Sequence, residues 1–233
     1  MPKNTHSIPI QGTLLGRVWQ PSVKGPSVVT LRDDRVIDIT SQKAATVRDI
    51  CEMVDPVSYV KTTSGLDIGN KNEILSNPID KAKCHFLAPC DLQAIKASGV
   101  TFAGSMVERV IEEQAAGNPN KAKEIRDRIG GKIGASLSNI SPGTKEADEI
   151  KKALIKEGLW SQYLEVGIGP DAEVFTKSQV LASVGTNANV GLHPMSSWNN
   201  PEPEVVLAVS SHGVIVGATL GNDVNLRDVE GRS

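Results

Sequence analysis

The feature that most constrains the fold is a pair of β-branched, apolar runs near the end of the chain. Val205-Val206-Leu207-Ala208-Val209 and Val214-Ile215-Val216-Gly217-Ala218-Thr219-Leu220 flank Ser211-His212-Gly213. Two such runs joined by polar and glycine turn chemistry predict an antiparallel hairpin. Continuous apolar character further predicts a first strand buried on both faces. The open end of the hairpin is acidic: Glu202 and Glu204 enter the first strand, and Asp223 leaves the second. Residues two apart on a strand share a face, so Glu202 and Glu204 point the same way, and the turn returns Asp223 towards them.

Three hard oxygen donors with open positions left over suit Mg²⁺, and Mn²⁺ accepts the same set. Alternating acids alone more often mark the solvated face of a strand. Here the adjoining apolar strand, the third acid and the stiff approach through Asn199, Asn200, Pro201 and Pro203 favour a metal site. Glu202, Glu204 and Asp223 are therefore the candidate ligands. Arg227-Asp228 reads either as a surface ion pair or as an arginine whose planar fork holds a substrate carboxylate or braces Asp223. Lys177 is either a solvated strand-end lysine or, near a cation that lowers its pKa, a proton-transfer group or oxyanion contact.

At 233 residues the chain suits one large or two smaller domains. A net charge of -2 and an aromatic content of 3% give neither the basic stripe nor the stacking surface of a nucleic-acid binder. Cys51, Cys84 and Cys90 are an odd set without CxxC spacing, which disfavours thiolate zinc and a disulfide framework. His85, His193 and His212 lack the paired spacing of zinc sites, and Gly130-Gly131-Lys132-Ile133-Gly134 lacks the strand that a phosphate-binding loop follows. No segment has signal-peptide or membrane-span character, so a cytoplasmic protein without membrane contact is expected.

The first part of the chain reads as strands over Thr13–Trp19, Ser27–Leu31 and Arg35–Ile39, with a turn at Arg32-Asp33-Asp34 and a short helix from Val47 capped by Thr46. Residues 64 to 82, rich in Gly, Asn, Asp and Ser, read as a connection. Helical periodicity begins at Ser105, with Met106, Val110 and Ile111 on the apolar side and Glu108, Arg109, Glu112 and Glu113 opposite. It resumes over Lys121–Ile129 and Lys145–Glu157, and after Trp160 the pattern turns β-rich. The expected organisation is a small β-rich domain over residues 1–83 and a second domain over 84–233.

With those residues in place, the chain resembles the fumarylacetoacetate hydrolase superfamily. The resemblance rests on Glu202-x-Glu204, on Gly221-Asn222-Asp223 with Arg227-Asp228, and on Val174-Phe175-Thr176-Lys177. Asn199–Leu207, Gly158–Val166, Leu87–Gln93 and Gly99–Phe102 are similar to the bacterial 2-keto-3-deoxy-pentonate (xylonate) dehydratase branch. That likeness implies an α+β fold in which the second domain is a mixed β-roll or barrel, and Mg²⁺ on Glu202, Glu204 and Asp223. It also implies a small sugar-acid substrate and a homo-oligomer, dimer or tetramer. The family's segment with a water-activating histidine corresponds to Gly99–Ser105, with Ser105 in the histidine's place and Glu108 a helical turn on. Loss of that dyad disfavours C–C hydrolysis and favours dehydration. Lys177, Ser105 and Glu108 are then the candidate catalytic groups, and Arg227, Thr101 and Phe102 the candidate substrate contacts. Family members continue past the Asn-Asp-x-x-x-Arg-Asp motif, so the C-terminal part of the domain is expected to be missing here. A diketo-acid hydrolase or decarboxylase on the same metal is the alternative enzyme, and a non-catalytic sugar-acid binding protein the alternative of another class.

Overall fold

A computed structural model describes residues 11–99, 108, 110–111, 114–115, 118–130, 140–156, 158–160, 162–171 and 173–229. The chain divides into two compact units, Met1–Ala94 with Gln179–Ser233, and Ile95–Ser178.

In the first unit, β1 (Leu15–Gln20), β2 (Gly25–Arg32), β3 (Arg35–Asp38), β4 (Leu66–Asn70) and β5 (His85–Leu87) form one antiparallel sheet in the order β4-β3-β2-β1-β5. The β2–β3 turn closes on the pair Arg32↔Arg35, and Asp33 takes the left-handed φ of 53° that a tight hairpin needs and that Asp tolerates. Alternation sends Val28 to one core cluster, with Ile37, Ile39, Val47, Ile50 and Val60, and Val29 to another, with Val18, Val36 and Ile74. The stretch expected as a connection over 64–82 instead holds β4 and helix α3 (Lys71–Ser76). Its polar composition hid the strand because β4 is an edge strand with little apolar surface to bury.

Helix α1 (Val47–Cys51) starts as expected at Thr46, and its entry donors are all satisfied. Thr46 Oγ1 accepts from the Asp49 amide at 3.1 Å, and Asp49 answers with a bond to the Thr46 amide, a capping box. The two remaining amides, Val47 and Arg48, donate to the buried Asp91 carboxylate at 2.7 and 3.1 Å. Helix α2 (Pro56–Thr62) follows, capped by Asp55 with Pro56 in its first turn.

The first unit also contains β8 (Glu202–Val209) and β9 (Ile215–Asp223), the expected hairpin. Its turn is closed by Gly213 N–H to Ser210 O at 3.0 Å and Ser210 N–H to Val214 O at 2.9 Å, and Gly213 takes the φ of 77° that such a loop demands. Ser211 Oγ and its amide both donate to the Glu52 carboxylate at the end of α1, which ties the hairpin tip to the N-terminal elements. Two expectations fail. The strand predicted to be buried on both faces is exposed, with Val205 at 72% and Val209 at 50%. The predicted roll or barrel is not formed either. The strands of the described residues make one five-stranded and two two-stranded antiparallel sheets, and none closes. Closure requires pairing at both edges, and β8 and β9 have only each other as ladder partners among the described residues.

In the second unit, β6 (Ile95–Ser98) pairs antiparallel with β7 (Val174–Ser178). Helices α4 (Pro119–Gly130), α5 (Lys145–Lys156) and α6 (Gln162–Ile168) occupy the sequence between them. Val110, Ile111, Ile125, Ala147, Leu154, Leu164 and Ile168 are in its core, so Val110 and Ile111 of the apolar side read from the sequence are buried, whereas Met106, Arg109, Glu112 and Glu113 lie outside the described residues. The region after Trp160, expected to be β-rich throughout, instead begins with α6 and includes irregular chain between Ser178 and Glu202.

Candidate functional site

The β8–β9 register decides how the three acids meet. Glu202 pairs directly with Asp223, and Glu204 pairs with Gly221. Residues directly opposite project to the same face, so Glu202, Asp223 and Glu204 share one face of the hairpin. That face continues with Val206↔Thr219 and Ala208↔Gly217, mostly small side chains. Gly221 keeps the position opposite Glu204 clear: a Cβ there would stand 2.8 Å from Val206 Cγ2. The opposite face carries Val205↔Leu220, Leu207↔Ala218 and Val209↔Ile215. One ribbon thus has an acidic end on one side and an apolar sheet surface on the other.

The arginine of the two-way reading goes to a carboxylate of this site. Arg227 Nη2 donates to Glu202 Oε1 at 2.9 Å, with both side chains mostly buried. Its neighbour Asp228 turns to a different set of partners. It accepts from the Ser196 hydroxyl, the Ser197 amide at 2.8 Å and the Ser197 hydroxyl at 3.2 Å. Those donors, the Ser196 hydroxyl foremost, hold the Asp228 carboxyl down at about 2. The two residues therefore do not act as one surface ion pair.

Donor chemistry and backbone register fit a hard divalent cation: three carboxylates on one face, two in a direct cross-strand pair. The side-chain oxygens are not yet gathered, because among the described residues no group of three or more His, Cys, Asp and Glu side chains is assembled to hold a metal ion.

Two further candidates lie in the second unit. Glu108 is exposed and bonded through both oxygens to Arg126, at 3.2 and 2.7 Å, which lowers its pKa. Lys177 lies on β7 with its ammonium 5.8 Å from the centre of the Phe175 ring. Thr101, Phe102 and Ser105 lie outside the described residues. The residue that sequence reasoning missed is Asn225. Its side chain is buried; its carbonyl accepts from Asn199 Nδ2 at 2.5 Å and its Oδ1 from the Asn200 amide at 3.1 Å. No local signal marks it, because both partners lie on the other side of the hairpin mouth.

Comparison with models of protein families gives no match. A Haloferax volcanii protein named "Probable 2-keto-3-deoxyxylonate dehydratase" is 38% identical over 71 residues, 30% of this chain and 24% of that protein. The 2-dehydro-3-deoxy-D-arabinonate dehydratase of Saccharolobus solfataricus is 36% identical over 58 residues, 25% of this chain and 20% of the relative. The matches thus span about a quarter or less of the curated relatives' lengths. Among solved structures, 2-keto-3-deoxy-D-arabinonate dehydratase complexed with magnesium and 2,5-dioxopentanoate superposes with a TM-score of 0.54 at 17% identity. The match covers 94% of this chain and 58% of that one, and the apo form gives the same TM-score. The likeness in fold is therefore to part of a longer chain. The resemblance read from the sequence to 2-keto-3-deoxy-pentonate dehydratases is upheld over these segments. No helix among the described residues is long and apolar enough to cross a membrane.

Proposed function

We propose that the chain carries the metal-binding end of a 2-keto-3-deoxy-pentonate dehydratase, which converts its sugar acid, of the xylonate series, to 2,5-dioxopentanoate and water. The observation that carries this reading is the cross-strand pair Glu202↔Asp223 with Glu204 on the same face. Glu202, Glu204 and Asp223 would hold Mg²⁺, or Mn²⁺ in its place, and the bound ion would supply Lewis-acid polarisation of the substrate's carboxylate and ketone oxygens. Arg227, bonded to Glu202, holds that carboxylate in place, and its planar guanidinium is assigned to contact with an anionic substrate. Lys177 is assigned proton transfer at C3 or contact with the oxyanion, and Ser105 and Glu108 the handling of the departing C4 hydroxyl or an intervening water. Tautomerisation of the unsaturated product then gives the C5 aldehyde. Thr101 and Phe102 are assigned to substrate contact. A cytoplasmic homo-oligomer completes the proposal, supported by the exposed apolar side chains of Val205, Leu207, Val209 and Leu220.

The test is product formation from 2-keto-3-deoxy-D-xylonate, coupled to a semialdehyde dehydrogenase with and without EDTA. Expected are the C5 semialdehyde, abolition by EDTA, and loss of at least roughly 100-fold in turnover together with Mn²⁺ uptake in Glu204→Gln. Cleavage of the carbon chain into two acids points to the hydrolase instead. Full turnover by Glu204→Gln refutes the metal assignment.

A further inference from the structure

The ladder of the ribbon ends where the acids stand, at the pair Glu202↔Asp223. A two-stranded ribbon is marginally stable alone, and its open end is where it frays. Yet the two chains stay tied beyond that end. Arg227 N–H donates to Trp198 O at 2.9 Å. Asn225 accepts from both Asn199 and Asn200, and Asp228 accepts from Ser196 and Ser197. The incoming segment 196–200 is thereby fastened to the outgoing segment 225–228, and Arg227, between the two fastening residues, reaches Glu202.

We infer that Asn225 and Asp228 are positioning residues for the carboxylate face. They tie the two segments together beyond the last ladder pair, and they hold Arg227 against Glu202 so that Glu202 and Asp223 keep their separation. Neither residue is assigned contact with substrate or metal. The inference rests on the metal-site reading above.

The experiment compares wild type, Asp228→Ala and Asp228→Asn in three measurements: Mn²⁺ affinity by titration of the free-ion spin signal, amide exchange, and the thermal midpoint without metal. In Asp228→Ala, Mn²⁺ binding is expected to weaken by roughly 10- to 100-fold, the size of effect seen when a ligand's supporting partners are removed. Exchange at the Ser197 and Arg227 amides accelerates in step, while the amides of β1–β3 and the thermal midpoint stay put. Asp228→Asn, which keeps one acceptor oxygen, falls between. Unchanged Mn²⁺ affinity, unchanged exchange at Ser197 and Arg227, or an affinity loss accompanied by equal loosening of β1–β3 each overturns the inference. A wild-type chain that takes up no Mn²⁺ overturns the metal-site reading and this inference with it, whereas wild-type uptake that Asp228→Ala leaves intact overturns the positioning role alone.

Discussion

Replacing Asp91 is expected to destabilise the first unit more than replacing its cationic neighbour. The Asp91 side chain is 5% exposed. Its Oδ2 accepts from the Val47 amide at 2.7 Å, and its Oδ1 from the Arg48 and Leu92 amides at 3.1 and 2.7 Å. Arg17 Nε stands 3.6 Å away, too far for a hydrogen bond but close enough for attraction in a poorly hydrated site. Asp91→Ala leaves two helix-entry amides without their acceptor and strands a mostly buried guanidinium. Removing one partner of a buried charge pair costs about 3–5 kcal/mol. Asp91→Asn gives little rescue, because its amide group must face either the Val47 donor or the pair of donors at Oδ1. Arg17→Met is milder. Asp91 keeps its three backbone donors, and the main loss is the Arg17 Nη1 bond to Cys90 O at 2.8 Å, about 1–2 kcal/mol. The assay is native-state amide exchange at Val18 and Val29, in the buried centre of the five-stranded sheet. A loss below about 1.5 kcal/mol in Asp91→Ala, or a larger loss in Arg17→Met, refutes the reasoning.

Two other outcomes follow from the same geometry. Asp228 titrates at about 2 in the fold against an ordinary 3.8, so its bonds to Ser196 and Ser197 contribute stability that is complete above pH about 4 and lost as the pH falls through about 2. Protection of the Ser197 amide against exchange should differ between wild type and Asp228→Asn at pH 5 and converge towards pH 2, and a constant gap would contradict that. Leu220→Lys, on the apolar face opposite the acids, should shift the sedimentation coefficient of the chain from oligomer towards monomer while Mn²⁺ uptake persists at lower affinity. A wild-type monomer at micromolar concentration would sink the oligomer proposal.

Local signals were legible where chemistry and conformation coincide over a few residues. Thr46, three residues before Asp49, announces a capping box, and Ser211-His212-Gly213 announces a turn that needs a left-handed glycine; both are present. The alternation around Glu202 and Glu204 was enough to put them on one face. Partners distant in sequence were not legible. Nothing near Asp91 says that its carboxylate completes a helix entry 44 residues earlier, and nothing near Asn225 says that it receives Asn199 and Asn200. Such bonds depend on register, which a one-residue shift would undo.

The misjudged burial of β8 has a different cause. Apolar residues at consecutive positions fix a demand for cover on both faces, but the covering surface is a property of what packs against the strand. Here Val205, Leu207, Val209 and Leu220 stand exposed on one face, while the acids and small residues occupy the other. The two faces ask for different partners. Under the proposed function the three carboxylates take a cation, and an apolar ribbon surface asks for more protein. If both are supplied, each reinforces the other, because cover on the apolar face suppresses fraying at the open end of the ribbon. Metal affinity should therefore rise with self-association, and linkage requires that added Mn²⁺ drive association by the same factor. Sedimentation across a Mn²⁺ series measures that coupling directly. An association constant indifferent to Mn²⁺ would show that the two faces of the hairpin act independently.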